Sequence, residues 1–245
     1  VLWPILDTLQ YSLYQWDASN GVTTRAVLIS SAPTGNIGAL VSSDRHLVIM
    51  GAGGDPMKLQ WPDQETLTSY TPDVASTAGD LRLWDGSRIV AAAVVQNTTL
   101  IWTDKALFGM DFVNQESESH RTYRIASIDP PVSWHSVVVV GSTAWWMGGN
   151  QFYRYDGRVE AIDQPISETV FGALDFAQAE KVCGGTNYRW NEIIWFYPVE
   201  GVGPQENSRY AKINTKTMSP DIGELPRSTW TDAGVLNSPI AASPD

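Results

Sequence analysis

The sequence predicts an all-β fold: a β-propeller-like series of repeated antiparallel meanders with one short inserted helix. Three observations lead there. Residues 91–111, AAAVVQNTTLIWTDKALFGMD, read as strand, two-residue turn, strand, four-residue turn, strand. The same plan returns without a gap 45 residues on, and returns again a further 50 on with a longer second turn. Tryptophan recurs near the end of the middle strand, and 11 Trp in 245 residues suit half-buried pleated surfaces. Counting a Trp-Pro-Asp that sits 41 residues before Trp-Thr-Asp at 102–104, the copies fall at spacings of 41, 45 and 50, the period of propeller blades. One meander has two open edges and cannot bury both faces, whereas copies packed side by side cover each other.

Residues 1–36 are expected to form an N-terminal strand and linker segment, and residues 37–245 the propeller body. In the first, Leu9, Tyr11, Leu13 and Tyr14 lie near an alternating pattern, residues 24–29 alternate weakly, and 30–38 read as loop. Residues 46–52, HLVIMGA, and 57–61, MKLQW, form a hairpin. The GAGG at 51–54 follows a strand but lacks GxGxxG spacing and a following helix, so it reads as the hairpin loop rather than a phosphate cradle. Residues 65–80 are polar and read as a long loop.

Strands follow at 88–95, 98–102 and 107–112, with Gln96-Asn97 and 103–106 as turns. The gapless copy is VVVV, Gly141-Ser142, TAWWM, a turn at 148–151, then FYRYDG. The third copy is Trp190, a turn at Asn191-Glu192, IIWFYP, a long turn at 199–208, then RYAKIN. Residues 167–182 have helix formers, with Val170, Phe171, Leu174 and Ala177 near one face. Ser167 is the expected N-cap and Gly184-Gly185 the stop, giving a short helix lodged between two blades.

The repeat positions are Trp61, Asp63, Trp102, Asp104, Trp146, Trp195, Trp230 and Asp232. They are read as architecture. The indoles pack blades, and the aspartates cap N–H groups in the turn that leaves the strand.

The composition bounds the chemistry. Hydrophobic residues at 43% and charged residues at 18% give a real core. A net charge of −11 argues against a general nucleic-acid-binding surface, which needs clustered Lys and Arg, yet it is compatible with a channel that DNA slides through. Cys183 is the only cysteine, so no internal disulfide is possible, and it reads as a small core residue. No apolar run is long enough to span a membrane as a helix, and no signal peptide is visible.

His46, His120 and His135 show no metal-ligand spacing, and each reads as a satisfied or surface residue. The densest basic patch, HRTYR at 120–124, reads as a solvated strand edge. Ser219-Pro-Asp221-Ile-Gly223 matches the first half of the Ser-x-Asp-x-Gly-x-Thr-Trp box of sialidase-type propellers, but Trp230 arrives four places late and the box occurs once. A propeller glycoside hydrolase and a propeller protein-binding module are therefore the alternatives. No catalytic, cofactor or metal site is expected.

Several phrases read together are more specific. They are DRHLVIMGA at 44–52 with DPM at 55–57, QWPDQE at 60–65, DGSRIVA at 85–91, LIWTD at 100–104, AWWMGGN at 144–150 running into FYRYDG, NEIIWFY at 191–197 and NSRY at 207–210. As a set, from about residue 40 to residue 232, they resemble the tail hub or nozzle proteins of short-tailed bacteriophages, also called packaged-DNA stabilisation proteins. The resemblance implies a non-enzymatic virion protein with a propeller body. Six copies would ring the tail axis below portal and adaptor proteins, hold packaged DNA, pass it out without sequence-specific binding, and dock other tail parts. The family's proteins are longer than this chain, so a part of a larger body is expected.

Overall fold

The structure is a computed structural model that describes residues 2–6, 11–115, 118–201, 205–234 and 237–244. It is all-β and propeller-like, built of consecutive antiparallel meanders. Two compact units divide the chain, residues 1–128 and 129–245.

In the first unit, β1 (Leu2–Leu6), β2 (Tyr11–Gln15) and β3 (Val27–Leu28) form a three-stranded sheet. Of the weak strand expected over 24–29, only β3 is regular, and Leu9 lies outside the described residues. This N-terminal segment is more than a linker. Leu13, Ile29 and Ala32 share a core with Leu47 and Ile49 of the next sheet and Ala52 just beyond it.

The first meander is β4 (Gly38–Val41), β5 (Leu47–Met50), β6 (Lys58–Trp61) and β7 (Gly79–Arg82). The second is β8 (Ile89–Val95), β9 (Thr98–Thr103), β10 (Ala106–Gln115) and β11 (Glu118–Ser127). The second strand of each meander is almost wholly buried, as in Leu47–Met50, because neighbours cover both faces.

The second unit holds β12 (Val137–Val140), β13 (Thr143–Met147), β14 (Phe152–Tyr155) and β15 (Val159–Ile162). Next come α1 (Ser167–Ala173) and the meander β16 (Cys183–Asn187), β17 (Glu192–Pro198), β18 (Asn207–Asn214) and β19 (Pro220–Glu224). A two-stranded sheet, β20 (Thr229–Thr231) with β21 (Ile240–Ala242), follows.

The repeat is physical. The first hairpin turn of three meanders places a residue in the left-handed region: Gln96 at φ 55° and Gly141 at φ 59° open two-residue turns, and Asn191 at φ 56° closes a four-residue turn in place of the expected Asn191-Glu192 pair. Gly and Asn adopt that region readily, while Gln accepts roughly 1–2 kcal/mol of strain. The second and third meanders carry a fourth strand beyond the three expected, and the first meander adds two, β4 and β7, to the expected hairpin.

The helix differs from its expectation. α1 ends at Ala173, Leu174 turns extended, and a 3-10 helix runs Phe176–Lys181. Ser167 is the first helical residue rather than the cap. Ile166 takes the cap position without a side-chain hydrogen bond. Val170 and Leu174 do sit between two meanders, in one core with Trp145, Met147, Phe152, Trp195 and Ile213.

Gly184 and Gly185 are not a helix stop. They lie in β16 because large side chains press against the backbone there. A Cβ on Gly184 would come 2.5 Å from Val138 Cγ2 and 3.0 Å from Trp195 Cδ1. Both neighbours are buried and cannot swing away. Gly184→Ala is expected to cost about 1–3 kcal/mol through overpacking, read as a lower urea midpoint at unchanged slope. An unchanged midpoint would mean the interface is looser than drawn.

Candidate functional site

The repeat positions act as architecture, with one change of detail. Trp61, Trp102, Trp146 and Trp195 are all buried, and Trp230 is half-buried. Four of the indole N–H groups donate to backbone carbonyls of other segments: Trp61 to Thr77 (2.8 Å), Trp146 to Asp129 (3.3 Å), Trp195 to Ser136 (2.8 Å) and Trp230 to Thr186 (2.7 Å).

Asp63 caps the connection that leaves its own strand, as expected, whereas Asp104 and Asp232 hold segments that fold back from elsewhere. Asp63 accepts from the Thr77 N–H and hydroxyl, both at 2.7 Å. Asp104 accepts from the Ser87 N–H (2.7 Å) and hydroxyl (2.5 Å), just ahead of β8. Asp232 accepts from the Tyr188 N–H (2.6 Å) and the Thr186 hydroxyl (2.7 Å); its one local bond is to the Ala233 N–H. The second unit's first meander has no aspartate after Trp146. Asp129 supplies the carboxylate instead, accepting from the Gly149 N–H at 2.6 Å.

These bonds hold all three carboxyls below their ordinary 3.8. For Asp63 the Thr77 hydroxyl is the leading cause. For Asp104 and Asp232 burial opposes ionisation, but the Ser87 and Thr186 hydroxyls and nearby N–H groups outweigh it. A depressed carboxyl contributes stability that is present above its unfolded value and lost as pH falls through the folded one. The urea midpoint is therefore expected to hold steady toward neutrality and to drop below about pH 4. The triple variant D63N/D104N/D232N should flatten that drop. An equally steep drop in the variant would assign acid sensitivity elsewhere.

One polar cluster gathers around the first of these motifs. The turn between β4 and β5 carries Asp44 and His46, and β11 brings His120 from the second meander. Their ligand-capable atoms lie within 4.8 Å of one another. His46 is fully buried and His120 nearly so, while the Asp44 side chain keeps 15% of its surface exposed. His46 Nδ1 bonds Asp44 Oδ2, and its Nε2 lies 2.8 Å from Thr77 Oγ1. His120 Nε2 lies 3.2 Å from Asp44 Oδ2, and its Nδ1 lies 3.4 Å from Ser119 Oγ. The imidazole of His120 packs on His46, Trp61 and Phe112 at centroid distances of 4.6, 4.7 and 5.2 Å.

Donor and acceptor accounting orders the protons. The Thr77 hydroxyl donates to Asp63 and accepts the Gln64 N–H, so it can only accept from His46 Nε2. Ser119 accepts from the Trp61 indole (3.0 Å), leaving its hydroxyl proton for His120 Nδ1 and the Nε2–H of a neutral His120 for Asp44. Burial first, then His46, push the His120 pKa down to about 4 against the pull of Asp44. Asp44 stays below its ordinary value: burial opposes this, but hydrogen bonding led by His46 prevails. Carboxylate, imidazole and hydroxyl stand in the order of a nucleophilic triad. Thr77 nevertheless gives its proton to Asp63, so His46 does not activate it.

The structure thus joins Trp61 and Asp63 to a cluster and leaves the other repeat positions dispersed. The expectation of satisfied histidines holds for His46 and His120, but not the absence of metal-ligand grouping, since 76 residues of sequence separation hide it. Within the HRTYR patch, strand alternation buries His120 and exposes Arg121, while Arg124 pairs with Asp85 at 2.8 Å. Cys183 is a buried free thiol, its pKa pushed up to about 11 by burial. Asp221 of the sialidase-like box accepts from Tyr210 (3.0 Å) and pairs with Lys212. Among the described residues, no helix is long and apolar enough to cross a membrane.

No protein-family model and no curated protein matches the chain. Solved structures similar to it include the N-terminal domain of Nup159, at 12% identity and TM-score 0.44, covering 76% of this chain and 43% of that one. Another is an S. cerevisiae assembly of dbp5 with nup159, gle1, IP6 and ADP, at 11% identity and TM-score 0.35, covering 77% of this chain and 60% of that one. A third is a Trichoderma reesei carbohydrate-active enzyme of family AA12, at 10% identity and TM-score 0.37, covering 75% of this chain and 51% of that one. The chain spans less than two thirds of the length of each.

Proposed function

We propose that this chain is a structural component of a phage tail hub or nozzle. In this reading it is non-enzymatic, works by assembly around the DNA-exit channel, helps retain packaged DNA and docks other tail proteins. The sequence resemblance supplies the setting. The carrying observation is the Tyr188–Trp190 turn, whose three residues Tyr, Arg and Trp are all exposed, Tyr188 at 75% and Trp190 at 59%. These are the residue types that anchor protein interfaces.

The turn is presented on a rigid mount. Asp232 holds the Tyr188 N–H, Asn191 caps the turn in the left-handed region, Asn214 Nδ2 donates to the Trp190 carbonyl at 3.0 Å, and Arg189 lies over the Trp190 ring. A preordered aromatic tip avoids ordering costs on docking. Its expected partner is a neighbouring copy in a six-fold ring. An acidic chain lining a channel favours DNA sliding over holding.

The double variant Y188S/W190S should keep its unfolding midpoint to within about 0.5 kcal/mol, since both side chains are exposed. Mass photometry of the full chain should show rings for the native protein and monomers for the variant. Rings that persist in the variant would move the interface off this turn. A native protein that stays monomeric at all concentrations would count against assembly by this chain alone.

A further inference from the structure

We propose that Asp44, His46 and His120 bind a divalent transition-metal ion, Zn2+ in the first instance, which clasps the β4–β5 turn to β11. Two imidazoles and one carboxylate form a donor set for Zn2+ and its neighbours rather than for Ca2+ or Mg2+, which take oxygen ligands. His46 would coordinate through Nδ1, His120 through Nε2 and Asp44 through Oδ2.

The donors are already close. His120 Nε2 and Asp44 Oδ2 stand 3.2 Å apart, and no spacing within the trio exceeds 4.8 Å. Tetrahedral zinc with bonds of about 2.0–2.1 Å sets donors roughly 3.3–3.5 Å apart. The widest spacing closes by about an ångström or more, and the His46–Asp44 pair opens from direct hydrogen-bond contact. With three protein ligands, water completes the coordination, reaching the ion on the exposed side of Asp44.

The surroundings are those of a prepared metal site. Each ligating histidine has its other ring nitrogen against a hydroxyl that is itself held. Thr77 Oγ1 faces His46 Nε2 and is tied to Asp63 and to the Gln64 N–H. Ser119 Oγ faces His120 Nδ1 and is tied to the Trp61 indole. With His120 Nε2 on the ion, its proton moves to Nδ1 and the Ser119 hydroxyl turns to accept it; both outer bonds then run from ring N–H to hydroxyl, fix ring orientation and raise ligand basicity. Gln64 Nε2 donates to the Asp44 carbonyl at 2.8 Å, which steadies the turn. Phe112 and Trp61 wall the imidazoles from water. The ligands come from two meanders of the same unit, so the ion would cross-link them. This makes its role structural, and the Trp-Pro-Asp at residues 61–63 becomes its outer shell. The inference does not depend on the tail assignment.

The test uses the full, untagged chain after chelator treatment. Titration with Co2+ should give the intense visible absorption of a tetrahedral site at one ion per chain. Zn2+ should displace Co2+ and raise the melting temperature by several degrees. His46→Gln and His120→Gln should each weaken binding by about 100-fold or more, and Ser119→Ala by about 10-fold. His135→Gln changes an exposed histidine of the second unit and should leave binding unchanged. If a ligand variant fails to fold by circular dichroism, the native Co2+ spectrum and Ser119→Ala decide. A folded native chain with no Co2+ absorption and no thermal response to Zn2+ overturns the proposal. So does native-like affinity in folded His46→Gln and His120→Gln.

Discussion

Trp195→Ala is expected to lower the unfolding free energy by about 3–5 kcal/mol, a large share of what a domain has in total. The side chain is fully buried, with its ring 5.1 Å from that of Phe152 on the neighbouring meander. Gly184 is bare backbone against one edge of the indole, and the ring fills the space this leaves. Truncation opens a cavity that a closely packed sheet interface cannot collapse, because strand spacing is fixed by the backbone ladder. It also strands the Ser136 carbonyl, which accepts the indole N–H at 2.8 Å. Urea unfolding followed by far-UV circular dichroism would read the loss as a midpoint shift. A loss below about 1 kcal/mol would show that the repeat tryptophan is not the core of its blade.

His46→Leu, measured in chelator so that no ion contributes, is expected to cost about 2–4 kcal/mol despite similar volume and greater hydrophobicity. Leucine removes the partner of a mostly buried carboxylate and one hydrogen bond to Thr77. Asp44 keeps only His120 and its exposed edge. A double-mutant cycle with Asp44→Asn isolates the pair, and a coupling of about 1 kcal/mol or more is expected for residues in direct contact. Additive losses would mean the cluster is held by packing alone.

The repeat was legible because its middle strands are buried on both faces and therefore read as apolar runs. TAWWM and IIWFYP could be placed by sliding one stretch along the chain. The fourth strands were not legible for the converse reason. β7, β11, β15 and β19 are outer strands with mixed exposure, and sequences such as VEAI and PDIGE carry no apolar alternation. β4 was hidden by the Gly and Pro that precede it. The helix was mis-drawn because helix formers continue past Leu174, where packing between the meanders extends the backbone instead. Gly184 and Gly185 resemble a helix stop in sequence, and only the tryptophans facing them reveal why they are glycine.

The site was the least legible part. Asp44-x-His46 is a spacing of two in a turn, and His120 arrives from another sheet. Nothing local in the sequence links them. The one available signal was that Trp61 and Asp63, read as packing and capping, needed partners, and the partners lead through Thr77 and Ser119 to the histidines. Asp63 caps the connection leaving its strand, as the sequence predicts, while the partners of Asp104 and Asp232 are not legible because only the fold brings Ser87 and Tyr188 back onto them.

In the proposed reading the repeat is architecture and the chain assembles into a viral tail. Electron cryomicroscopy of intact particles that carry the chain tests it most directly. The expected image is six copies around the tail axis, with the Tyr188–Trp190 turn of each against a neighbour. Particles that carry the chain away from the tail, or with no ring of it around the tail axis, would contradict it.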